Sequence, residues 1–346
     1  MSTTKQDIRA LSKEQLMAFF TSNGDKAFRG KQVYEWLWKK GVHHFDDMTN
    51  LSLETRLLLN KAFSINHIEV DTMQRSSDGT LKNAIRLHDG LVVESVLIPT
   101  PKRTTACVSS QVGCSLDCKF CATSRLKRMR NLNPDEIYDQ VVAIDKQSRL
   151  YHNKKLTNIV FMGMGEPLMN YNNVLKAIDK ITSEEGLGMS PKRIVVSTSG
   201  VPKMIKKMAE DNVKFNLAVS LHSAIDEVRT QIMPFNETFP LKDLREALQF
   251  WYEKTKRQIT YEYVVWDGIN DTVKDIQALI DFCKFAPSKV NIIEYNPIDD
   301  GEFQQANKST IDRYVSMLEA NNITVTVRRS RGKDIDAACG QLANKA

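Results

Sequence analysis

The segment of residues 104–123 reads TTACVSSQVGCSLDCKFCAT and joins a strand-like run to three closely spaced cysteines, Cys114, Cys118 and Cys121. The other three of the six cysteines are scattered, at positions 107, 283 and 339. Three structural disulfides are disfavoured in the reducing compartment expected for this chain. The clustering therefore predicts a metal or iron–sulfur site.

Strand-like apolar runs alternate with helical stretches on the carboxyl side of this segment. One helix has a clear start, with Asn133 as N-cap and Pro134 as its first residue. A repeated strand–helix pattern predicts a parallel, barrel-like α/β domain. The runs occupy residues 104–109, 157–161, 193–196, 216–219, 259–265, 290–294 and 323–327.

The amino-terminal part has a different pattern. Residues 1–64 have helical spacing of apolar residues, and residues 65–99 have β-branched runs separated by the hairpin signals Asp78-Gly79 and Asp89-Gly90. We therefore divide the chain into a helical accessory domain at 1–64, a small β unit at 65–99, and a catalytic domain at 100–346 that ends in a catalytic tail.

Composition excludes several classes of protein. The 346 residues include 48 Lys and Arg against 42 Asp and Glu, giving a formal charge of +6, and 42% are hydrophobic. These values exclude wholesale disorder, collagen-like repeats and a fibrous rod. No apolar run approaches the ~18 residues of a membrane helix, and the polar start MSTTK lacks the apolar region of a signal peptide. We expect a cytoplasmic protein without membrane contacts.

Unusual polar residues and glycines follow the strand-like runs. In parallel α/β barrels, functional groups lie just past the carboxyl ends of the strands, so these residues should share one rim. They are the cysteines after the first run, 163–167 after the second, 197–200 after the third, 220–222 after the fourth and 295–297 after the sixth.

The three-cysteine motif fits an incompletely ligated cluster. A four-iron cubane normally takes four thiolates, so three leave one iron open to a small ligand. A structural zinc site would need a fourth ligand at short spacing, and inert buried cysteines are the other alternative. The spacing Cys-x-x-x-Cys-x-x-Cys, with Phe120 before the last cysteine, resembles the radical S-adenosylmethionine (SAM) enzymes. In them the open iron binds SAM, which yields a 5′-deoxyadenosyl radical.

Further segments resemble the RlmN/Cfr family of radical SAM methyltransferases, which methylate adenine in ribosomal RNA, and this resemblance covers nearly the whole chain. The matching segments are 92–96 (VVESV), 107–114 (CVSSQVGC), 161–167 (FMGMGEP), 220–222 (SLH) and 336–341 (DAACGQ). The resemblance implies a partial (β/α)6 radical SAM barrel with an N-terminal helical region and a small β unit. It also implies a [4Fe–4S] cluster on Cys114, Cys118 and Cys121. The implied SAM-binding residues are Gly165, Glu166, Ser197, Ser220, Leu221, His222 and Asn296.

The same resemblance implies the catalytic residues. Cys339 would take a methyl group from one SAM, and the radical from a second SAM would remove hydrogen from that methyl group, so that its carbon adds to the adenine. Cys107 would resolve the adduct through a transient disulfide with Cys339, and Glu94 would be the proton acceptor. From the residues alone, Cys107 could be a strand hydrophobe, Glu94 a solvent-facing residue and His222 a core histidine, whereas Cys283 is predicted to be helix core.

The implied targets are C2 of adenine 2503 in 23S rRNA and C2 of adenine 37 in some tRNAs. Basic runs at 102–103, 125–130 and 328–333 are expected to flank the rim and bind RNA phosphates. We expect a monomer that takes electrons from a reductant such as flavodoxin. The alternatives are a C8-specific Cfr-type enzyme, a non-catalytic iron–sulfur RNA-binding protein, and a radical SAM enzyme with a small-molecule substrate.

Overall fold

The computed structural model describes residues 5–299 and 301–344, so the first four residues of the polar start lie outside the described part. The amino-terminal region is helical, as predicted. Helix α1 begins at a capping box in which the Ser12 hydroxyl accepts from the Gln15 N–H and the Gln15 side chain accepts from the Ser12 N–H. The elements of this region are β1 (Gln6–Asp7), α1 (Lys13–Ser22), α2 (Phe28–Glu35), α3 (Leu53–Ala62) and β2 (Phe63–Ser64).

This helical region is fixed to the rest of the molecule by a buried ion pair. The Arg9 guanidinium donates to both carboxylate oxygens of Asp139, at 2.6 and 2.8 Å, and lies 4.6 Å from the centre of the Trp38 ring. The Tyr138 hydroxyl donates to the carbonyl of Trp38. One continuous apolar core includes residues of both regions.

Three antiparallel strands follow, β3 (Glu69–Arg75), β4 (Leu81–Arg86) and β5 (Val92–Pro99). The predicted turns contain Gly79 and Gly90, whose φ values of 88° and 82° favour glycine. Strand β5 also pairs antiparallel with β6 (Thr104–Cys107), so the small β unit continues the main sheet. Such pairing depends on the partner strand and cannot be inferred from either strand's own pattern.

Within residues 5–299 and 301–344, the main sheet has ten strands in the order β14-β13-β12-β11-β10-β9-β6-β5-β4-β3. Its strands from β6 to β14 are parallel. A separate two-stranded ladder pairs β7 (Gln111–Val112) with β8 (Arg130–Asn131). The remaining parallel strands are β9 (Asn158–Phe161), β10 (Ile194–Thr198), β11 (Asn216–Ser220), β12 (Ile259–Val264), β13 (Ser288–Ile293) and β14 (Thr324–Arg328).

Helices connect the parallel strands, giving six strand–helix units and a seventh strand. The helices are α4 (Pro134–His152), α5 (Tyr171–Thr182), α6 (Pro202–Glu210), α7 (Asp226–Ile232), α8 (Leu241–Thr255), α9 (Val273–Cys283) and α10 (Lys308–Ala320). The predicted partial (β/α)6 barrel is therefore confirmed, and all carboxyl strand ends face one rim. Within residues 5–299 and 301–344, no helix has both the length and the apolar character needed to cross a bilayer.

Candidate active site

A cavity opens at the carboxyl ends of the parallel strands and encloses about 980 Å³ including its mouth. Ten of the thirteen residues predicted for the site line it: Cys114, Cys118, Cys121, Gly165, Glu166, Ser197, Ser220, His222, Asn296 and Cys339. The three others, Glu94, Cys107 and Leu221, are buried in its surroundings.

The three clustered cysteines lie in a loop whose base is closed by the ladder of β7 and β8. Gly113 enters the loop at φ 74°, where a Cβ would be 2.4 Å from the carbonyl oxygen of Lys127. The Cys121 N–H donates to the carbonyl of Cys118 at 3.2 Å. The Ser124 hydroxyl contacts the carbonyls of Cys118 and Cys121 at 2.6 and 2.7 Å. These local bonds turn the loop back on itself and direct its thiols to the cavity.

The electrostatics of these thiols fit a polynuclear cluster. Burial, reinforced by the charge of Cys121, raises the pKa of Cys114 to about 12, and burial also raises the pKa of Cys118 well above its usual value. Binding a cationic cluster would offset this cost by replacing the thiol protons. Across residues 5–299 and 301–344, no group of three or more His, Cys, Asp or Glu is arranged to hold a single metal ion. Three thiols of one loop that line the same cavity are a donor set that fits a cluster with three thiolate ligands.

Gly165 and Glu166 form the opposite wall of the cavity. Gly165 has φ 90°, and a Cβ there would be 2.4 Å from the side chain of Gln111. The Glu166 carboxylate accepts from the N–H of Leu168 at 3.0 Å and from that of Ser199 at 2.8 Å. Burial raises the pKa of Glu166, and these backbone donors oppose the rise. Each oxygen keeps a lone pair with which it can accept from a ligand.

His222 follows β11 in the left-handed conformation, with φ 56°. Its Nδ1 accepts from the N–H of Val264 at 3.1 Å, and its ring packs against Phe120 and Trp266. Burial lowers the pKa of His222 to about 3, with a smaller contribution from the charge of Arg229. The neutral ring therefore carries its proton on Nε2, which can donate to a ligand.

Leu221 contributes only backbone next to this histidine. Its side chain is fully buried in the main core, and its N–H donates to the carbonyl of Glu262 at 3.0 Å. Asn296, on the far side of the cavity, donates to the carbonyl of Cys339 at 3.2 Å. Its buried Oδ1 has no hydrogen-bond partner among the described residues, 5–299 and 301–344. An unpartnered acceptor at a cavity wall fits a site for a polar ligand.

The carboxyl-terminal tail brings Cys339 to the cysteine loop. The Ala122 N–H donates to the carbonyl of Gly340 at 2.7 Å, and the Thr123 hydroxyl donates to that of Leu342 at 2.6 Å. Cys339 is exposed, and it lines the cavity. Although the residue is exposed, desolvation of its sulfur by the surrounding cavity raises the pKa of the Cys339 thiol, and the charge of Arg328 opposes the rise.

Cys107 and Glu94 lie behind the tail. Burial is the main cause, and the charge of Cys339 a smaller one, of a rise in the pKa of Cys107 to about 12. The two thiols are therefore close enough for their charges to interact. Glu94 is buried on β5, with Lys82 Nζ 3.3 Å from its Oε1. Its Oε2 accepts from the N–H groups of Ala343 and Asn344, at 2.8 and 3.1 Å. All six cysteines are free thiols.

Two features of the site were not predicted from the sequence. Glu262 lies on β12, lines the cavity, accepts from Asn291 at 2.9 Å and pairs with Arg328 at 3.0 Å. A single acid inside the strand-like run 259–265 was the available signal, and the list of rim residues included none from this fifth run. The second is the buried Arg229. It lies in a short polar helix, and nothing in the sequence there predicts that its side chain is buried beside the site.

One predicted feature of the surface is wrong. Lys102 and Arg103 were expected to flank the rim, but they precede β6 and so lie at the opposite, amino end of that strand. The basic residues of 125–130 do follow the cysteine loop, although Arg130 is engaged by the carboxylates of Asp89 and Glu136.

Comparison with known proteins agrees with this geometry. A model for the ribosomal RNA large subunit methyltransferase N-terminal domain matches residues 6–65, and one for the radical SAM superfamily matches 108–283. "Probable dual-specificity RNA methyltransferase RlmN" of Flavobacterium johnsoniae is 74% identical over 345 residues, covering 100% of this chain and 99% of that one. "Dual-specificity RNA methyltransferase RlmN" of Geotalea uraniireducens is 43% identical over 342 residues, covering 99% and 97%.

A solved structure gives the same result. A radical SAM methyltransferase from Sphaerobacter thermophilus is 36% identical and superposes with a TM-score of 0.91, covering 97% of this chain and 99% of that one. Similarity thus extends over the accessory helices, the barrel and the tail together. The chain belongs to the RlmN family of radical SAM RNA methyltransferases, whose enzymes use SAM and a [4Fe–4S] cluster.

Proposed function

We propose that this enzyme methylates C2 of adenine 2503 in 23S rRNA and C2 of adenine 37 in some tRNAs. The observation that carries the proposal is that Cys339 lines the same cavity as the three clustered cysteines. A methyl acceptor and a radical source would therefore share one chamber. A methyl-accepting thiol together with a radical source suits methylation at C2 of adenine, because this electron-poor ring carbon does not attack a methyl sulfonium as an amine would.

The proposed cofactor site uses the cavity wall. Cys114, Cys118 and Cys121 would hold the cluster, which together with SAM supplies the 5′-deoxyadenosyl radical when bound. Three thiolate ligands would leave the cluster one coordination position for a small ligand such as SAM. The remaining polar groups of SAM would be bound by Gly165, Glu166, Ser197, Ser220, Leu221, His222 and Asn296, with Leu221 acting through its backbone. Oδ1 of Asn296 lacks a hydrogen-bond partner among the described residues, and Nδ1 of His222 accepts a bond, which leaves Nε2–H as the donor; both support this assignment.

Cys339 is proposed as the methyl-accepting nucleophile. Its raised pKa keeps the thiol protonated at neutral pH, so methyl transfer requires a cation nearby to favour the thiolate. Arg328 opposes the rise in pKa from one side, and a sulfonium in the cavity would act from the other. Cys107 would then form a transient disulfide with Cys339, and this step would release the product. The effect of the Cys339 charge on the pKa of Cys107 supports the pairing of these two residues.

Glu94 is proposed as the proton acceptor, and its contacts set a condition on that role. Oε2 of Glu94 is occupied by the N–H groups of Ala343 and Asn344. The proton would therefore go to Oε1, which lies 3.3 Å from Lys82 Nζ and has no hydrogen-bond partner among the described residues.

The RNA substrate defines the remaining partners. The accessory helices at 1–64 are proposed to bind RNA, and exposed Lys127 and Arg128 beside the cysteine loop would contact its phosphates. An adenine of an unpaired segment would be turned into the cavity. The enzyme would work in the cytoplasm as a monomer, with a reductant such as flavodoxin supplying electrons.

The test is anaerobic incubation of cluster-loaded protein with SAM, dithionite and unmodified 23S rRNA transcript, followed by mass spectrometry of the digested RNA. A tRNA transcript with adenine 37 forms a second arm. We expect 2-methyladenosine in both arms, and Cys283→Ala, a cysteine of the α9 core, should behave like the parent. Formation of 8-methyladenosine would replace the C2 assignment by the Cfr-type reaction. Cluster-loaded protein that leaves both RNAs unmethylated would overturn the proposal and favour a non-catalytic RNA-binding protein or a small-molecule substrate.

A further inference from the structure

Arg229 is a fully buried cation on α7 to which the reaction assigns no role. Its guanidinium donates to the carbonyls of Ser199 at 2.6 Å and Leu221 at 3.1 Å, and to Oδ1 of Asn236 at 2.5 Å. A longer contact of 3.5 Å reaches the carbonyl of Ser220. All these acceptors are neutral, so the positive charge is not cancelled by its hydrogen-bond partners.

These contacts join two loops of the cavity. Ser199 follows β10, whereas Ser220 ends β11 and Leu221 leads from it into His222. The Ser199 N–H in turn donates to Glu166 at 2.8 Å. One guanidinium therefore fixes the distance between the two loops and, through Ser199, the position of the Glu166 carboxylate.

The same segment also holds the cysteine loop. The Lys119 N–H donates to the carbonyl of Ile232 at 3.0 Å, and the Phe235 N–H donates to the Asp117 carboxylate at 3.1 Å. Ile232 follows Arg229 by three residues on α7, about one helical turn, so this attachment places the guanidinium near the cysteine loop. Burial lowers the pKa of Arg229 to about 10, so the side chain stays protonated at neutral pH.

We propose that Arg229 is a positioning residue with two effects: it holds the SAM-binding loops in register, and its charge stabilises the reduced form of the cluster. On reduction the cluster takes one electron from an external donor such as dithionite. No bond to the protein forms or breaks, and the net charge of the cluster becomes more negative by one. A buried cation stabilises that state relative to the oxidised one, because charge near a cluster sets its potential.

This inference rests on the cluster assignment of the proposed function. The experiment compares Arg229→Gln, Arg229→Lys and the parent by EPR-monitored redox titration of the reconstituted proteins, together with SAM binding and iron content. Arg257→Gln is the matched control, because Arg257 also donates to two backbone carbonyls, those of Val213 and Phe215, at the opposite end of β11.

We expect Arg229→Gln to make reduction about tenfold less favourable, a shift of about 59 mV to more negative potential for one electron. Arg229→Lys should keep a potential near that of the parent but bind SAM about tenfold more weakly, because an ammonium cannot reproduce the planar fork of donors. Arg257→Gln should leave both quantities unchanged.

The lysine variant decides the outcome if the glutamine variant does not fold. If the cluster of Arg229→Lys had a reduction potential far below that of the parent, the proposed charge effect would be wrong. If Arg229→Lys bound SAM as tightly as the parent, the proposed positioning effect would be wrong. Equal potentials for Arg229→Gln and the parent, or an equal shift in Arg257→Gln, would also overturn the proposal. A parent protein that binds no iron would instead refute the cluster assignment on which the proposed function depends.

Discussion

The cysteine loop and the carboxyl-terminal tail bring thiols to one cavity, but different kinds of contact hold them there. The loop has bonds of its own, such as those from Ser124 to the carbonyls of Cys118 and Cys121, in addition to its bonds to the α7 segment and the tail. The tail is held by distant residues, among them Asn296 and Glu94. A locally bonded loop forms with the barrel, whereas a tail bound at separate points can open while the barrel stays folded.

The largest effect is expected for Cys118→Ser, which removes one of the three proposed cluster ligands. Because a hydroxyl is a poor ligand for iron in such a cluster, the variant should lose its iron and all RNA methylation. Iron and sulfide analysis after anaerobic reconstitution measures this, with Cys283→Ala as the control. A fully loaded cluster in Cys118→Ser would show that the loop is not the cluster site.

A smaller but clear effect is expected for Gly113→Ala at the entrance of the loop. The added Cβ would meet the Lys127 carbonyl at 2.4 Å, and the residue has φ 74°. Strain of about 1–3 kcal/mol in the loop should lower cluster loading about tenfold. Gly188→Ala is the matched control, since Gly188 has φ 62° and nothing within 4 Å of an added Cβ. Equal iron content in the two variants would refute the idea that the loop is held by its own geometry.

The difference between local contacts in the loop and long-range contacts of the tail also explains which features the sequence predicts and which it does not. The three cysteines were identified from spacing alone, and the seven strand-like runs lie within two residues of the observed strands, because both signals are local. Cys107 and Cys339 were assigned only through the family resemblance, since no local pattern brings residues so far apart in the chain together. Glu262 and Arg229 were missed because their roles depend on partners in other strands and loops.

Glu94→Gln tests how the tail is held. The substitution removes the charge that pairs with Lys82 and weakens the bonds from Ala343 and Asn344. A loss of about 1 kcal/mol in tail binding corresponds to about fivefold more open tail. Amide exchange at 343–344 should accelerate accordingly, while exchange in β10 stays unchanged. Glu210→Gln, an exposed carboxylate at the end of α6, is the control. Unchanged exchange in Glu94→Gln would mean that the tail does not depend on this carboxylate.

The smallest effect concerns thiol reactivity in metal-free protein. Burial raises the pKa of Cys107 to about 12, whereas Cys339 is exposed, so alkylation by iodoacetamide should favour Cys339 by about threefold or more. Both rates should rise as the pH increases from 7 to 9, because both pKa values are raised and only the thiolate reacts. Peptide mapping after a short pulse measures the ratio. Preferential labelling of Cys107 would mean that the tail does not cover it.

The central claim is that the cysteine loop binds the cluster and the tail supplies the methyl-accepting thiol. It is tested most directly by measuring iron content and methylated adenines for Cys339→Ala beside the parent enzyme. Because the loop alone is proposed to bind the cluster, the variant should hold as much iron and sulfide as the parent and methylate no RNA. Loss of iron from Cys339→Ala, or methylation that persists without this thiol, would contradict the account.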